Sequence, residues 1–139
     1  MSRISFKTRQ FVRERAHFNC EYCLTPELFS FIGYEVDHII SRKHGGQNDV
    51  NNLAWSCSIC NYRKGTDVGT ILQPKQVFVR LFNPRIDIWG DHFKLSNLTI
   101  EAKTDIGEAT IKVPQLNLVD RLLERQALIK SDLYPGTLA

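Results

Sequence analysis

Residues 57–65 read CSICNYRKG, and residues 20–23 read CEYC. Each Cys-x-x-Cys can wrap two thiolates around one ion. The two pairs, Cys20 with Cys23 and Cys57 with Cys60, account for all four cysteines of the chain. Four sulfurs form the closed tetrahedral donor set of a structural zinc site, and soft thiolates suit that ion. An iron–sulfur cluster would take the same ligands. A disulfide framework sits badly with a chain expected in a reducing cytoplasm. An ion shared by both pairs acts as a clamp. It ties the end of an N-terminal helix to the start of the helix opening at Cys57, so residues 24–56 must fold back on themselves.

The rest of the composition sets wide bounds. At 139 residues, 42% hydrophobic and 10% aromatic, the chain suits an ordinary folded unit. We expect a core over residues 1–70 and an α+β extension over 71–139 packed on it. A formal net charge of +3 permits nucleic-acid binding without arguing for it, so any electrostatic footprint must come from local clustering. No run of about 18 apolar residues predicts a membrane span. The opening MSRISFKTRQFVRERAHF lacks the apolar stretch and cleavage site of a secretion signal, and a cytoplasmic location is expected.

Along the chain, residues 5–17 predict a helix capped by Ser5, with Phe6, Phe11, Val12 and Ala16 on its apolar face. Arg9 and Arg13 share another face, as a solvated surface or as phosphate contacts. Gly33–Ile40 predicts a strand, SRKHGGQNDVNN a loop, and CSICNYRK a helix ended by Gly65. Pro74 and Pro84 bracket a strand-like KQVFVRLFN. HFKLS and LTIEAK predict a hairpin turning at Asn97. Asp105 and Glu108 form a capping pattern for a helix stopped by Pro114. Asn117 is placed to cap a last helix with an apolar stripe through Leu118, Leu122, Leu123 and Ile129, ended by Pro135-Gly136.

Inside the clamped segment, Asp37, His38, Asn52 and Asn61 ask for a joint explanation. Hydrolysis of a phosphodiester needs a base for water, a divalent cation to neutralise growing charge, and ligands that leave the cation open positions. An imidazole such as that of His38 suits the base. Asp37 offers a hard oxygen for an Mg²⁺-like ion. Adjacent strand residues point to opposite faces, so this reading requires a twist, a bulge or the end of the strand at Asp37-His38. Asp91-His92 repeats the dipeptide without surrounding cysteines or asparagines and is expected to be structural.

The order CEYC, VDHIISRKHGG, NNLAWSCSICN and RKG, from Cys20 to about Thr66, resembles the HNH endonuclease family, whose core is a ββα-metal fold. The resemblance implies a zinc-stapled core holding a structural Zn²⁺ on the four cysteines, and a catalytic divalent cation, Mg²⁺ or Mn²⁺ foremost. It implies His38 as general base and Asp37 as a ligand of the catalytic cation. Asn52 would hold the loop and orient His38, and Asn61 would be the second cation ligand. Many relatives carry proline two residues after Asp-His-Ile, where this chain has Ser41-Arg42. Arg42, Lys43, Arg63 and Lys64 flank the site as candidate phosphate contacts, whereas His44 is expected to face solvent.

The expected activity is metal-dependent hydrolysis of DNA phosphodiester bonds, leaving a 5′-phosphate and a 3′-hydroxyl. The alternatives are a zinc-stapled nucleic-acid-binding module without catalysis and a protein-interaction module. The C-terminal extension can pad the core, widen the DNA surface or form a dimer contact.

Overall fold

The computed structural model describes residues 3–136, a mixed α+β chain of five helices and three small antiparallel hairpins. Helix α1, Phe6–Arg15, begins as expected where the Ser5 hydroxyl accepts from the Thr8 amide at 3.1 Å. Its buried side is narrower than expected. Val12 and Ala16 are covered, but Phe6 and Phe11 stay exposed, since among the described residues no element packs over that side of the helix. Arg9 and Arg13 are used internally. Arg9 donates to the Tyr34 carbonyl at 2.8 Å above the Trp55 ring, and Arg13 pairs with Glu27 at 2.8 Å.

Strands β1, Glu35–His38, and β2, Leu53–Ser56, pair antiparallel with Glu35 opposite Ser56 and His38 opposite Leu53. β1 is shorter than the expected Gly33–Ile40. The loop between them holds two short 3₁₀ turns, Arg42–His44 and Val50–Asn52. All four residues of β2 are buried, and Trp55 is a large fully enclosed side chain of the core. Burial of such a side chain contributes about 1.5–3 kcal/mol. The outer backbone of β2 is fully engaged. The Leu53 amide donates to the Val50 carbonyl. The Leu53 carbonyl accepts from Arg15 at 2.8 Å and Arg85 at 3.0 Å. The Trp55 amide donates to the Glu21 carboxylate at 2.9 Å, while its carbonyl accepts from the Glu21 amide at 2.9 Å.

Helix α2, Ser58–Lys64, completes a ββα unit. Cys57 caps it through its own sulfur, which accepts from the Cys60 amide at 3.3 Å, and Gly65 ends it at a positive φ of 53°.

Beyond α2, strand β3, Gly69–Leu72, pairs with β4, Val77–Arg80. Helix α3, Trp89–His92, leads into the hairpin of β5, Phe93–Ser96, and β6, Thr99–Ala102, which turns at Asn97 with φ 55° as expected. Helix α4, Asp105–Lys112, is capped one residue before the anticipated Asp105: the Thr104 hydroxyl accepts from the Gly107 amide at 3.1 Å.

Helix α5, Val119–Lys130, departs most from expectation. Asn117 does not cap it. Its amide side chain is taken by both backbone groups of Ile100, at 2.9 and 2.8 Å, so Leu118 stands at the cap position without a side-chain bond. The helix ends at Ser131, ahead of Pro135-Gly136. Its buried residues are Arg121 and Arg125, whereas Leu118 and Leu123 are exposed. Arg125 spends its donors on the Leu98 and Leu116 carbonyls.

The main apolar core joins Val12, Leu53, Trp55 and the four cysteines to Phe82, Phe93, Ile100 and Leu116, so the segments before and after residue 70 share one interior. Leu72, Leu81 and Ala109 form a smaller cluster under α4. Among the described residues, no helix is long and apolar enough to cross a membrane.

Candidate functional site

The cysteine pairs converge as their spacing requires. All four thiols are buried, and their sulfurs lie within 4.8 Å of one another, so they can hold one metal ion. Cys23 Sγ and Cys57 Sγ are 3.8 Å apart. That matches the tetrahedral edge of about 3.8 Å that follows from a zinc–sulfur bond of about 2.3 Å. Arg121 of α5 also reaches the cluster, a contact no cysteine motif signals.

β1 ends at His38, where the chain leaves the sheet. Asp37 and His38 therefore both line one open cavity of about 320 Å³, together with Ser41, Arg42, Lys43 and Asn61. Two residues from opposite faces of a strand share a site because the strand stops between them and the loop.

Asp37 is 3% exposed. Its carboxylate accepts from the Tyr22 hydroxyl at 2.6 Å and lies 3.2 Å from the Lys64 ammonium. Burial pushes the Asp37 carboxyl up from the ordinary range, against the opposing pull of Lys64 and the Tyr22 hydroxyl. Lys64 also donates to the His38 carbonyl at 2.9 Å. Lys64 is thus corrected as a phosphate contact. At 2% exposure it is an interior counter-ion, drawn in because a buried carboxylate demands one.

His38 Nε2 is 2.8 Å from the Asn48 side-chain oxygen, which also accepts from Arg42 at 3.2 Å. An amide oxygen only accepts, so in the neutral imidazole this bond places the proton on Nε2 and leaves Nδ1 as the acceptor nitrogen. Asn52, expected both to hold the loop and to orient His38, has its hydrogen bonds in the loop. It accepts from the Ile40 amide at 2.8 Å and donates to the Ile40 and Gln47 carbonyls, each at 2.9 Å. Gly46 makes that staple possible. A Cβ there would lie 1.6 Å from the Ile40 oxygen and 2.8 Å from Asn52 Nδ2.

Asn61 gives its Nδ2 to Glu35 at 3.1 Å, which leaves its oxygen as the atom able to bind a cation. Glu35 stands two residues before Asp37 on β1, hence on the same face. Arg42 and Lys43 are exposed at the rim, and His44 faces solvent as expected. Arg63 is partly buried and bonded to Gln115. Asp91-His92 lies away from this cavity on α3, where His92 bonds the Thr104 hydroxyl at 2.6 Å. Sequence reasoning missed Asn48, Glu35 and Tyr22 in the site. Of these, Glu35 alone carried a signal, through its two-residue spacing from Asp37.

Residues 20–67 match the family model described as HNH endonuclease. The chain is also similar to the Septu protein PtuB of Bacillus thuringiensis, with 30% identity over 118 residues covering 84% of this chain. It spans 43% of that protein's length. No solved structure matches the chain significantly.

Proposed function

From the premise that residues 20–67 are an HNH endonuclease domain, we propose that the chain is a metal-dependent endonuclease hydrolysing DNA phosphodiester bonds. The observation that carries this reading is the shared cavity lined by Asp37, His38 and Asn61, with Arg42 and Lys43 at its rim. His38 Nδ1 takes a proton from the attacking water. The new bond forms from the water oxygen to phosphorus, the bond from phosphorus to the 3′-oxygen breaks, and the leaving 3′-oxygen takes a proton from solvent to become the 3′-hydroxyl. Asn48 holds the imidazole by its Nε2–H, and Asn52 holds the loop from which Asn48 projects. Asp37 and the Asn61 oxygen would hold a divalent cation, Mg²⁺ or Mn²⁺, whose charge offsets that growing on the phosphate and leaving oxygen. Asp37 keeps lone pairs for it, because a carboxylate offers about four acceptor sites. Arg42 and Lys43 contact flanking phosphates, while Arg63, bonded to Gln115, would meet phosphate only outside the cavity. The four cysteines hold a structural zinc, and the protein acts in the cytoplasm.

The test is cleavage of plasmid DNA with Mg²⁺ or Mn²⁺. His38→Ala is expected to lose about 10²–10⁴-fold in rate, the contribution of a positioned base. A variant that cuts as fast as the parent would refute the assignment. One observation favours a second reading, a zinc-stapled DNA-binding module without catalysis: Tyr22 and Lys64 already engage the Asp37 carboxylate. Salt-sensitive DNA binding with no cleavage under any divalent metal would select it.

A further inference from the structure

Arg121 of α5 lies against the cysteine cluster. Its Nη2 is 3.0 Å from Cys23 Sγ, and its Nη1 is 3.4 Å from Cys57 Sγ and 4.0 Å from Cys60 Sγ. The guanidinium therefore caps the triangular face formed by these three sulfurs. The residue is 3% exposed, and Glu124, 3.4 Å away, sits at the solvent side with its side chain 43% exposed. A buried guanidinium is costly unless an opposite charge faces it.

Glu124 faces the guanidinium from the solvent side, and on the buried side the cluster offers that charge in full only when loaded. Four thiolates around a divalent ion leave an excess of about two negative charges. Neutral thiols leave none. An apolar side chain would have packed on either state. An arginine with two donors aimed at sulfur suits the thiolate state best, and charge-assisted hydrogen bonds of this kind are the strong ones. Arg125 anchors the same helix to the Leu98 and Leu116 carbonyls, and Leu122, Leu128 and Ile129 are half-buried, while Leu118 and Leu123 are exposed; Arg121 is the residue that ties α5 to the cysteines.

We propose that Arg121 is the counter-charge of the metal tetrathiolate, and that metal occupancy thereby docks helix α5 onto the nuclease core. The proposal rests on the reading of the cysteine cluster as a zinc site. Arg121 is a positioning residue for the structural metal, with no part in cleavage.

The experiment uses the full chain loaded with zinc alone, as wild type, Arg121→Lys, Arg121→Gln and Arg121→Met. Zinc release into a chromogenic chelator is expected to be roughly tenfold to a hundredfold faster in the Gln and Met variants, with Lys between them and wild type. With cobalt(II) in place of zinc, the thiolate-to-metal charge-transfer band should shift in Gln and Met and be nearly retained in Lys. Amide exchange over residues 119–130 should rise in Gln while zinc is still bound. Wild-type release rates with an unshifted cobalt band in Met or Gln overturn the proposal. If Met is recovered unfolded, equal release from Lys and Gln overturns it. A wild-type chain that takes up no zinc overturns the zinc reading itself, and the proposal with it.

Discussion

Lys64→Met is the sharpest probe of the site's interior. Lys64 and Asp37 are 2% and 3% exposed, and the ammonium lies 3.2 Å from the carboxylate. Methionine keeps most of the side chain's length and apolar stem and removes the charge. Asp37 is then left with the Tyr22 hydroxyl at 2.6 Å as its remaining side-chain donor. Breaking a buried pair by removing one partner costs about 3–5 kcal/mol. The retained Tyr22 bond, itself charge-assisted, places this case near the lower end, at about 3 kcal/mol. For a domain of this size that is a fall in Tm of roughly 10 °C at pH 7. The loss carries a pH signature. Without Lys64, protonation relieves the buried charge, so the folded-state pKa of Asp37 rises further above its unfolded value of about 3.9. A raised folded pKa makes stability largest below the unfolded value and lost as pH rises through the folded one. The deficit against wild type should therefore narrow as pH falls toward about 4. The double variant Asp37→Asn, Lys64→Met should recover most of the loss, because no uncompensated charge remains. Thermal melts by circular dichroism from about pH 4 to pH 8 measure all of this. A Lys64→Met protein melting within about 2 °C of wild type at pH 7, or one whose deficit is the same at every pH, would show that Lys64 does not neutralise a buried Asp37.

Three further outcomes are expected. Stripping the structural metal with a chelator should unfold the core, since binding free energy in such sites becomes folding free energy; unchanged circular dichroism and Tm would contradict this. Gly46→Ala should cost about 3 kcal/mol and abolish cleavage, because its Cβ would meet the Ile40 oxygen and break the Asn52 staple; a wild-type Tm would count against it. The paired hydrogen bonds from Arg80, at 2.7 and 3.0 Å, hold the Asp87 carboxyl below the usual range. That contribution, about 1 kcal/mol since Arg80 is 44% exposed, is present above about pH 4 and lost as pH falls through the depressed value. Asp87→Asn should thus melt lower near neutrality and show a shallower acid limb in a pH-resolved melt.

The cysteine spacing made the metal centre legible, because four thiols that must meet leave little freedom to the chain between them. The ββα order followed from the family resemblance, while the turn at Asn97 and the exposed His44 were readable from local patterns. What stayed hidden depended on partners remote in the chain. Lys64 looked like one more basic residue beside Arg63, and its burial follows from Asp37, which reaches it through the fold. Asn48 and Asn52 are both loop asparagines, and nothing local says which one His38 will meet. On α5 the leucine stripe was misleading: the interior it packs against presents sulfurs and carbonyls, which call for arginine donors. β3 is four residues long and begins with glycine, too short and plain for an alternating pattern to show.

The free margin of β2 has a consequence for the molecule's company. A two-stranded ribbon ordinarily offers another chain a row of open donors and acceptors. Here Leu53 and Trp55 have both backbone groups occupied, by Val50, Arg15, Arg85 and Glu21. No incoming peptide can add a third strand on that side without first displacing two arginines and a glutamate. The ribbon carrying Asp37 and His38 is thus sealed along β2 against edge-to-edge aggregation, and the side chains that seal it come from both halves of the sequence.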